Sequence, residues 1–158
     1  GMGLGIPVWP VGSLEVLALN ASPSEGVVVP MIDARRGEVY TGAFQVPAAG
    51  TPRPLSDPIL ASGAEALAEI ANLGIETPSH IFGSGAQVMG VATEVPSTWH
   101  VPRGTAVASL ALDAWLAAGS PDTGPPLDAR YIRKSDAEID AERRSSPSAS
   151  ATGASNDR

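Results

Sequence analysis

The alternation of apolar and polar positions predicts a β-hairpin in the first third of the chain. Residues 27–33 are nearly continuously apolar, which is typical of a strand that is covered on both faces. Residues 38–46 alternate instead, which is typical of a strand with two distinct faces. One face carries Tyr40, Phe44 and Val46, and the other carries Val39, Thr41 and Ala43. Residues 34–37 form the turn, so strand, turn and strand together predict the hairpin.

Prolines modify this pattern in two places. Pro30 cannot donate a hydrogen bond to a neighbouring strand, so we expect the first strand to lie at a sheet edge or to be irregular there. Residues 47–58 contain four prolines and a glycine, which predicts a crossing over the surface. Residues 6–11 are interpreted as a further short apolar strand.

Three segments have the signatures of helices. Residues 14–19 form the first, directly after a Gly-Ser cap. Ser62 and Glu65 have the spacing of a capping box, and the helix that they begin should end at Gly74. Residues 105–118 are the clearest helix, with an apolar stripe that we expect to pack against the sheet. The stripe consists of Val107, Leu110, Ala111, Ala114, Trp115 and Ala118.

The remaining segments complete an α/β fold class with a mixed sheet and flanking helices. Residues 80–83 are a short strand that runs into a Gly-Ser-Gly-Ala turn, and a short helical turn follows. Residues 129–133 are interpreted as a short extended segment. Residues 145–158 hold five serines and no large apolar side chain, so we expect them to be disordered.

Composition narrows the function classes. The formal net charge of −7 argues against a chain that holds nucleic acid by itself, because phosphate binding needs clustered Lys and Arg. The absence of cysteine excludes disulfides and thiolate zinc sites and fits a cytoplasmic protein. No apolar run reaches the roughly 18 to 20 residues of a membrane helix, and no signal peptide is expected.

The side chains that could carry chemistry are few. His80 and His100 lie 20 residues apart without the spacing of a metal site, so no metal is expected. Gly83, Ser84 and Gly85 could approach a phosphate or adenosine, although a plain tight turn is the preferred interpretation. Ser84 between two glycines also resembles a nucleophile elbow, but the order of the glycines differs from that motif.

The hairpin turn is the most unusual charged segment. Arg35 and Arg36 could bind an anion or the carboxylate of a partner through their forked donors. The alternative is that they are solvated turn residues with Asp33 and Glu38 nearby as ion partners. These four residues are therefore candidates for a turn or an interface rather than for catalysis.

Several segments, in the right order, resemble the bacterial TsaB (YeaZ) family. The most specific is residues 32–40, Ile-Asp-Ala-Arg-Arg-Gly-Glu-Val-Tyr, which matches the DARRGEVY hairpin of that family almost letter for letter. Residues 4–18 resemble the family stretch lgIPvvgvsSLeaLA. The less specific matches are the glycine turn at 83–86, the helix at 102–119 and the Arg-Tyr-Ile-Arg-Lys segment at 130–134.

The resemblance implies a fold and a division of the chain. The fold would be the second lobe of an actin-like, ribonuclease H-like protein. Residues 3–25 would be the end of the first lobe, residues 26–138 the second lobe, and residues 139–158 a low-complexity tail. The first-lobe stretches of the family, IDTS and GPGSFTGLRIG, do not occur in these 158 residues, so the first lobe is expected to be largely missing.

The resemblance also implies a function. Members of the family are non-catalytic subunits of the complex that makes N6-threonylcarbamoyladenosine at position 37 of tRNAs. The expected partners are a TsaD-like catalytic paralogue and a TsaE-like ATPase, with a homodimer as a further option, and no cofactor is expected. The His-x-x-x-His pair that binds metal in the paralogue is absent here.

Two alternatives remain open at the level of sequence. The chain could be an actin-like-fold enzyme that binds ATP, either a small-molecule kinase or a hydrolase that uses Ser84. It could also self-associate through surface that a first lobe would cover.

Overall fold

The structure is a computed structural model that describes residues 6–22, 24–75 and 77–127. The strands in these ranges are β1 (Gly26–Asp33), β2 (Glu38–Thr41), β3 (Phe44–Val46), β4 (Arg53–Pro54), β5 (Ile59–Ser62) and β6 (His80–Phe82). The helices are α1 (Ser13–Asn20), α2 (Gly63–Asn72), α3 (Ser84–Met89) and α4 (Gly104–Ala117), with a short 3₁₀ turn at Ser97–His100. The predictions for residues 129–133 and 145–158 lie outside the described residues.

The first strand of the hairpin, β1, lies inside the sheet. Val28 pairs with Phe44 of β3 in the antiparallel direction and with His80 of β6 in the parallel direction. Both edges of β1 are therefore occupied, so the expectation that this strand lies at a sheet edge is wrong. The other option, a local irregularity at Pro30, is the one that the structure shows.

The predicted second strand of the hairpin is divided into β2 and β3. Gly26 pairs with Val46 and Asp33 pairs with Val39, so both halves keep the same register against β1. The ladder is interrupted opposite Pro30, which has no N–H to donate. The hairpin is thus confirmed, with a gap whose cause is the proline.

Two side chains and one main-chain bond replace the lost ladder bonds at this gap. The buried hydroxyl of Thr41 donates to the Pro30 carbonyl at 2.9 Å. The main-chain N–H of Ala43 donates to the hydroxyl of Ser56 at 3.1 Å, and the Leu55 N–H donates to the Ala43 carbonyl at 2.8 Å. The backbone polar groups around the interruption are therefore satisfied from the neighbouring segment.

The outer strands close the sheet on both sides. On one side, β5 pairs antiparallel with β2, and β4 pairs antiparallel with β3. The predicted surface crossing at residues 47–58 therefore contains a two-residue strand. On the other side, Thr93 covers β6: its hydroxyl oxygen accepts from the Ile81 N–H at 3.0 Å, and its N–H donates to the Ile81 carbonyl at 2.8 Å.

Each face of the sheet is covered by helices, as expected for strands that are apolar on both faces. The core on the α1 face consists of Leu14, Leu17, Ala18, Ala21, Val28, Phe44, Val46, Phe82 and Trp99. The core on the α2 and α3 face consists of Val29, Met31, Val39, Ala43, Ala66, Ile70 and Ala86. The predicted alternation along residues 38–46 is therefore confirmed.

The last helix packs on α1 rather than on the sheet, which corrects the prediction for its apolar stripe. Ala106 and Leu110 are its buried positions, and they pack against Val16 of α1. Val107 is 39% exposed, and Trp115 is only half-buried. The reason is that α1 already occupies that face of the sheet, so α4 forms an additional layer.

The described residues of the segment 6–11 are not a strand, which corrects another prediction. Pro7 and Pro10 lack N–H groups, and no strand in the described chain pairs with this segment. Pro7 and Trp9 instead lie beside α4. Within the described ranges no helix has the length and apolar character needed to cross a bilayer.

Candidate functional site

The turn of the β1–β2 hairpin has an unusual backbone. Arg35, Arg36 and Gly37 have φ angles of 66°, 56° and 78°, so three successive residues are left-handed. The Glu38 N–H donates to the Arg35 carbonyl at 3.0 Å, and the Ala34 N–H donates to the Glu38 carbonyl at 3.0 Å. A left-handed backbone suits glycine but costs about 1–2 kcal/mol for each residue that carries a Cβ. The two arginines therefore stand where glycine or asparagine would fold at lower cost.

The carboxylate of Asp33 holds the turn in this shape. Its Oδ1 accepts from the Arg35 main-chain N–H at 2.8 Å, and its Oδ2 lies 3.2 Å from Nη1 of Arg35. The Asp33 side chain is 17% exposed, whereas that of Arg35 is 86% exposed. The acid therefore belongs to the base of the turn, and the guanidinium faces solvent.

The glycine turn between β6 and α3 meets the hairpin at the same end of β1. The hydroxyl of Ser84 accepts from the Asp33 main-chain N–H at 3.1 Å. A Cβ at Gly85 would come within 2.8 Å of the Val39 side chain and 2.9 Å of the Ile32 carbonyl carbon. The absence of a side chain at Gly85 is thus what lets α3 lie directly on β1 and β2.

Gly83 is constrained in a similar way. Its φ is 106°, and a Cβ there would collide with the Met31 carbonyl oxygen. Its N–H donates to Nδ1 of His100 at 3.0 Å, so this imidazole nitrogen acts as an acceptor. The second histidine, His80, packs edge-on against Trp99 with a ring-centroid distance of 5.4 Å.

The structure thus brings the two groups of candidate residues together. The hairpin residues Asp33, Arg35, Arg36 and Glu38 and the turn residues Gly83, Ser84 and Gly85 meet at the end of β1. The glycines face the backbone of β1, which favours the tight-turn interpretation. Arg35, Arg36 and Ser84 are the exposed residues of this group. Within ranges 6–22, 24–75 and 77–127 no group of three His, Asp or Glu side chains could hold a metal ion.

Comparison with known proteins tests the family resemblance. No family model matches the chain. The tRNA threonylcarbamoyladenosine biosynthesis protein TsaB of Bacillus subtilis (strain 168) is 52% identical to it over 42 residues. That stretch is 27% of this chain and 18% of the Bacillus protein. The resemblance to the TsaB/YeaZ family is confirmed.

Solved structures of the TsaB/YeaZ type establish the fold. YeaZ from Pseudomonas aeruginosa superposes with a TM-score of 0.50 at 24% identity, over 70% of this chain and 52% of that one. An uncharacterized protein with similarity to peptidase YEAZ from Pseudomonas aeruginosa gives a TM-score of 0.55 at 23% identity, over 80% and 59%. The chain therefore shares the mixed sheet and flanking helices of the YeaZ fold. It spans somewhat more than half the length of these relatives.

A groove outside the TsaB/YeaZ-like hairpin was not predicted from the sequence. A shallow groove of about 250 Å³ lies between the N-terminal segment and α4, and its lining residues are Pro7, Trp9, Ala111, Leu112 and Trp115. The Trp115 indole N–H donates to the Pro121 carbonyl at 3.1 Å, which fixes one wall. The sequence contains one signal for this groove: α4 is apolar on nearly all faces. A single partner helix cannot cover so wide an apolar surface.

Proposed function

We propose that the chain is a non-catalytic subunit in the biosynthesis of threonylcarbamoyladenosine in tRNA. The observation that carries this proposal is the 42-residue stretch that is 52% identical to the Bacillus TsaB protein. The fold that the chain shares with YeaZ structures is consistent with the same assignment. Because the chain spans only part of these relatives, their activity and partners are extended to it here as a proposal.

The contacts at the end of β1 favour a non-catalytic role over a catalytic one. In a serine hydrolase of the Ser-His-Asp type the nucleophile bonds to an imidazole, and that imidazole bonds to a carboxylate. Here the Ser84 hydroxyl accepts from the Asp33 main chain, and Nδ1 of His100 accepts from the Gly83 main chain. The Asp33 carboxylate contacts Arg35. Each group of a would-be triad is therefore engaged in holding the backbone.

The proposed role is to support a TsaD-like catalytic paralogue together with a TsaE-like ATPase. A chain that carries a rigid sheet and an exposed charged turn is suited to binding another protein. Association can be measured by mixing the purified 158-residue chain with each of these two proteins from the same organism and recording calorimetric titrations. Formation of a complex with the paralogue is expected, and no association with either protein would contradict the proposed role.

A cellular assay tests the function separately from the association. In a bacterial strain depleted of its own TsaB, expression of the chain is expected to restore threonylcarbamoyladenosine in total tRNA, measured by mass spectrometry. Unchanged levels of the modified nucleoside, with the chain present as soluble protein, would count against the assignment.

The alternative of an ATP-binding enzyme has a direct test. If the chain were a kinase or another ATP-dependent enzyme, ATP would release heat on titration and raise its melting temperature. The proposed non-catalytic role predicts neither effect. A saturable binding isotherm with ATP would favour the enzyme instead.

A further inference from the structure

The turn between β1 and β2 carries at position 35 a side chain that the backbone geometry there does not require. Two of the bonds that shape the turn involve residue 35. The Asp33 carboxylate accepts from the Arg35 main-chain N–H, and the Arg35 carbonyl accepts from the Glu38 N–H. Both use backbone atoms of residue 35, so they would form with asparagine or glycine there. Those two residues also tolerate the left-handed φ angles of 66° and 56° better than arginine does.

The ion pair of Arg35 with Asp33 offsets little of the cost at residue 35. Arg35 contacts Asp33 with one nitrogen, at 3.2 Å, while its side chain stays 86% exposed. An ion pair in which the guanidinium is this exposed contributes little to folding, because water and salt screen it. The contact also leaves most of the five N–H donors of the guanidinium available for a second acceptor. Backbone strain at an exposed site is a reason to look for a role in recognition.

Arg35 and Arg36 are also unusual in the charge distribution of the described ranges. In the described ranges the Lys and Arg residues are Arg35, Arg36, Arg53 and Arg103. The acids in the same ranges are Glu15, Glu25, Asp33, Glu38, Asp57, Glu65, Glu69, Glu94, Asp113 and Asp122. The charged residues of the described ranges are thus mostly acids. The two arginines that are neighbours in the sequence, Arg35 and Arg36, both lie in the strained turn.

The turn also stands on a rigid base. The Asp33 N–H is held by Ser84, and Gly85 of α3 lies in close contact with Ile32 and Asp33. A guanidinium pair that is fixed at its base loses less entropy on binding than one on a free loop. This is the arrangement that favours a specific contact over a general electrostatic one.

We propose that this turn, residues 34–37, is a docking point for an acidic, carboxylate-bearing segment of a partner protein. Guanidinium groups match carboxylates through paired N–H donors. RNA is the less suitable ligand, because it needs several phosphate contacts, and in residues 6–22, 24–75 and 77–127 acids outnumber Lys and Arg. The choice of a partner among the proteins of tRNA modification rests on the proposed function, whereas the chemistry of the turn does not.

The experiment uses two variants of the full 158-residue chain. The double variant Arg35→Asn, Arg36→Asn removes both guanidiniums. Asparagine is introduced because it accepts a left-handed backbone. Arg53→Asn is the matched control, since Arg53 is an exposed arginine on β4. The melting temperature of the double variant is expected to equal or exceed that of the unmodified chain, so a loss of binding cannot be assigned to unfolding.

Two probes are then applied to each chain. The first is a synthetic peptide of six glutamates, followed by the shifts of ¹⁵N-labelled main-chain amides at low salt. The second is the TsaD-like and TsaE-like pair, followed by calorimetry. We expect the peptide to shift the amides of residues 33–38 in the unmodified chain and in Arg53→Asn but not in the double variant. We expect the double variant to bind its protein partner about tenfold more weakly, the loss of one to two charge-assisted contacts.

The outcomes separate this inference from the proposed function. If the proteins bind the double variant as tightly as the unmodified chain, the docking turn is wrong while the proposed function stands. If neither protein binds but the peptide shifts the turn amides, the proposed function fails and the docking turn stands. If the peptide shifts no turn amide and no protein binds, or if a tRNA transcript shifts these amides while the peptide does not, the docking proposal is overturned.

Discussion

The main-chain N–H of Asp33 donates to the hydroxyl of Ser84 at 3.1 Å, across a sequence separation of 51 residues. This bond joins the hairpin turn to the first residue of α3. It explains why two segments that looked independent in the sequence form one assembly at the end of β1. Because the bond is exposed, its value lies in orientation more than in stability.

Replacing Ser84 by alanine should therefore have a small effect on folding. The Asp33 N–H would lose its acceptor but could bond to water, so the free energy of unfolding should fall by about 0.5–1.5 kcal/mol. Urea denaturation measures this, with Ser109→Ala at an exposed position of α4 as the control. The control should be neutral or slightly stabilising, because alanine favours the helix. A loss at Ser84 several times larger than expected would mean that the hydroxyl has buried partners.

Gly85→Ala should be much more harmful than the same substitution at a glycine with open space around it. Its Cβ would lie 2.9 Å from the Ile32 carbonyl carbon and 3.1 Å from the Asp33 nitrogen, and backbone atoms cannot move aside easily. We expect a loss of about 1–3 kcal/mol in the free energy of unfolding.

Gly104→Ala is the matched control for this prediction. Gly104 begins α4, and the space around a Cβ there is open. Alanine should be neutral or stabilising by up to about 1 kcal/mol, because it favours the helix. Equal destabilisation by both substitutions, measured by thermal denaturation, would contradict the packing described for Gly85.

Thr41→Val tests the repair of the sheet opposite Pro30. The shape of the side chain is nearly conserved, but the buried Pro30 carbonyl would lose the hydroxyl that donates to it at 2.9 Å. The expected cost is about 1–3 kcal/mol, the penalty for a buried acceptor without a partner. Thr105→Val on the exposed side of α4 should change stability by less than about 0.5 kcal/mol. Similar effects of the two substitutions would disprove the role of the hydroxyl.

The capping box of α2 predicts a pH dependence. The hydrogen bonds from the Ser62 side chain and then from the Ser62 main chain lower the pKa of Glu65 below its ordinary value of 4.5. A carboxyl group whose pKa is lower in the folded state stabilises the fold at pH values above its unfolded pKa. That contribution is lost as the pH falls through the folded pKa.

Glu65→Gln isolates this contribution. The difference in urea midpoint between the unmodified chain and the variant should be constant from pH 7 down to about pH 5 and should shrink below the ordinary pKa of the carboxyl. Ser62→Ala should abolish the same pH-dependent part. A difference that grows on acidification would have the wrong sign for this account.

Much of the fold could be predicted because its signals are local. The capping box at Ser62 and Glu65 is present as predicted, with both reciprocal bonds, and Gly74 has a left-handed φ of 78° just after α2. The hairpin, the two faces of its second strand, β6 and the short helix α3 also follow from patterns within a few residues. Such signals act through backbone conformation and the period of side-chain burial, which a sequence displays directly.

The errors concern which elements lie side by side. The prediction of a strand at residues 6–11 was wrong because a strand needs a partner edge, and apolar letters do not show whether one is near. The stripe of α4 was assigned to the sheet because its sequence does not reveal that α1 is already there. The contact of His100 with Gly83 had no sequence signal, since it depends on where a distant loop passes.

The sequence by itself determined the hairpin, the helix caps and the family resemblance, because these depend on residue types at fixed short spacings. It also determined the arginines of the turn and the acids beside them. Only the tertiary structure decided that Ser84 and Gly85 support that turn and that Pro30 lies in an inner strand, where it interrupts the ladder to the neighbouring strand. It also decided that Arg35 and Arg36 have left-handed backbones at an exposed site. These properties arise from contacts between segments far apart in the chain, and packing in three dimensions, rather than any local pattern, sets those contacts.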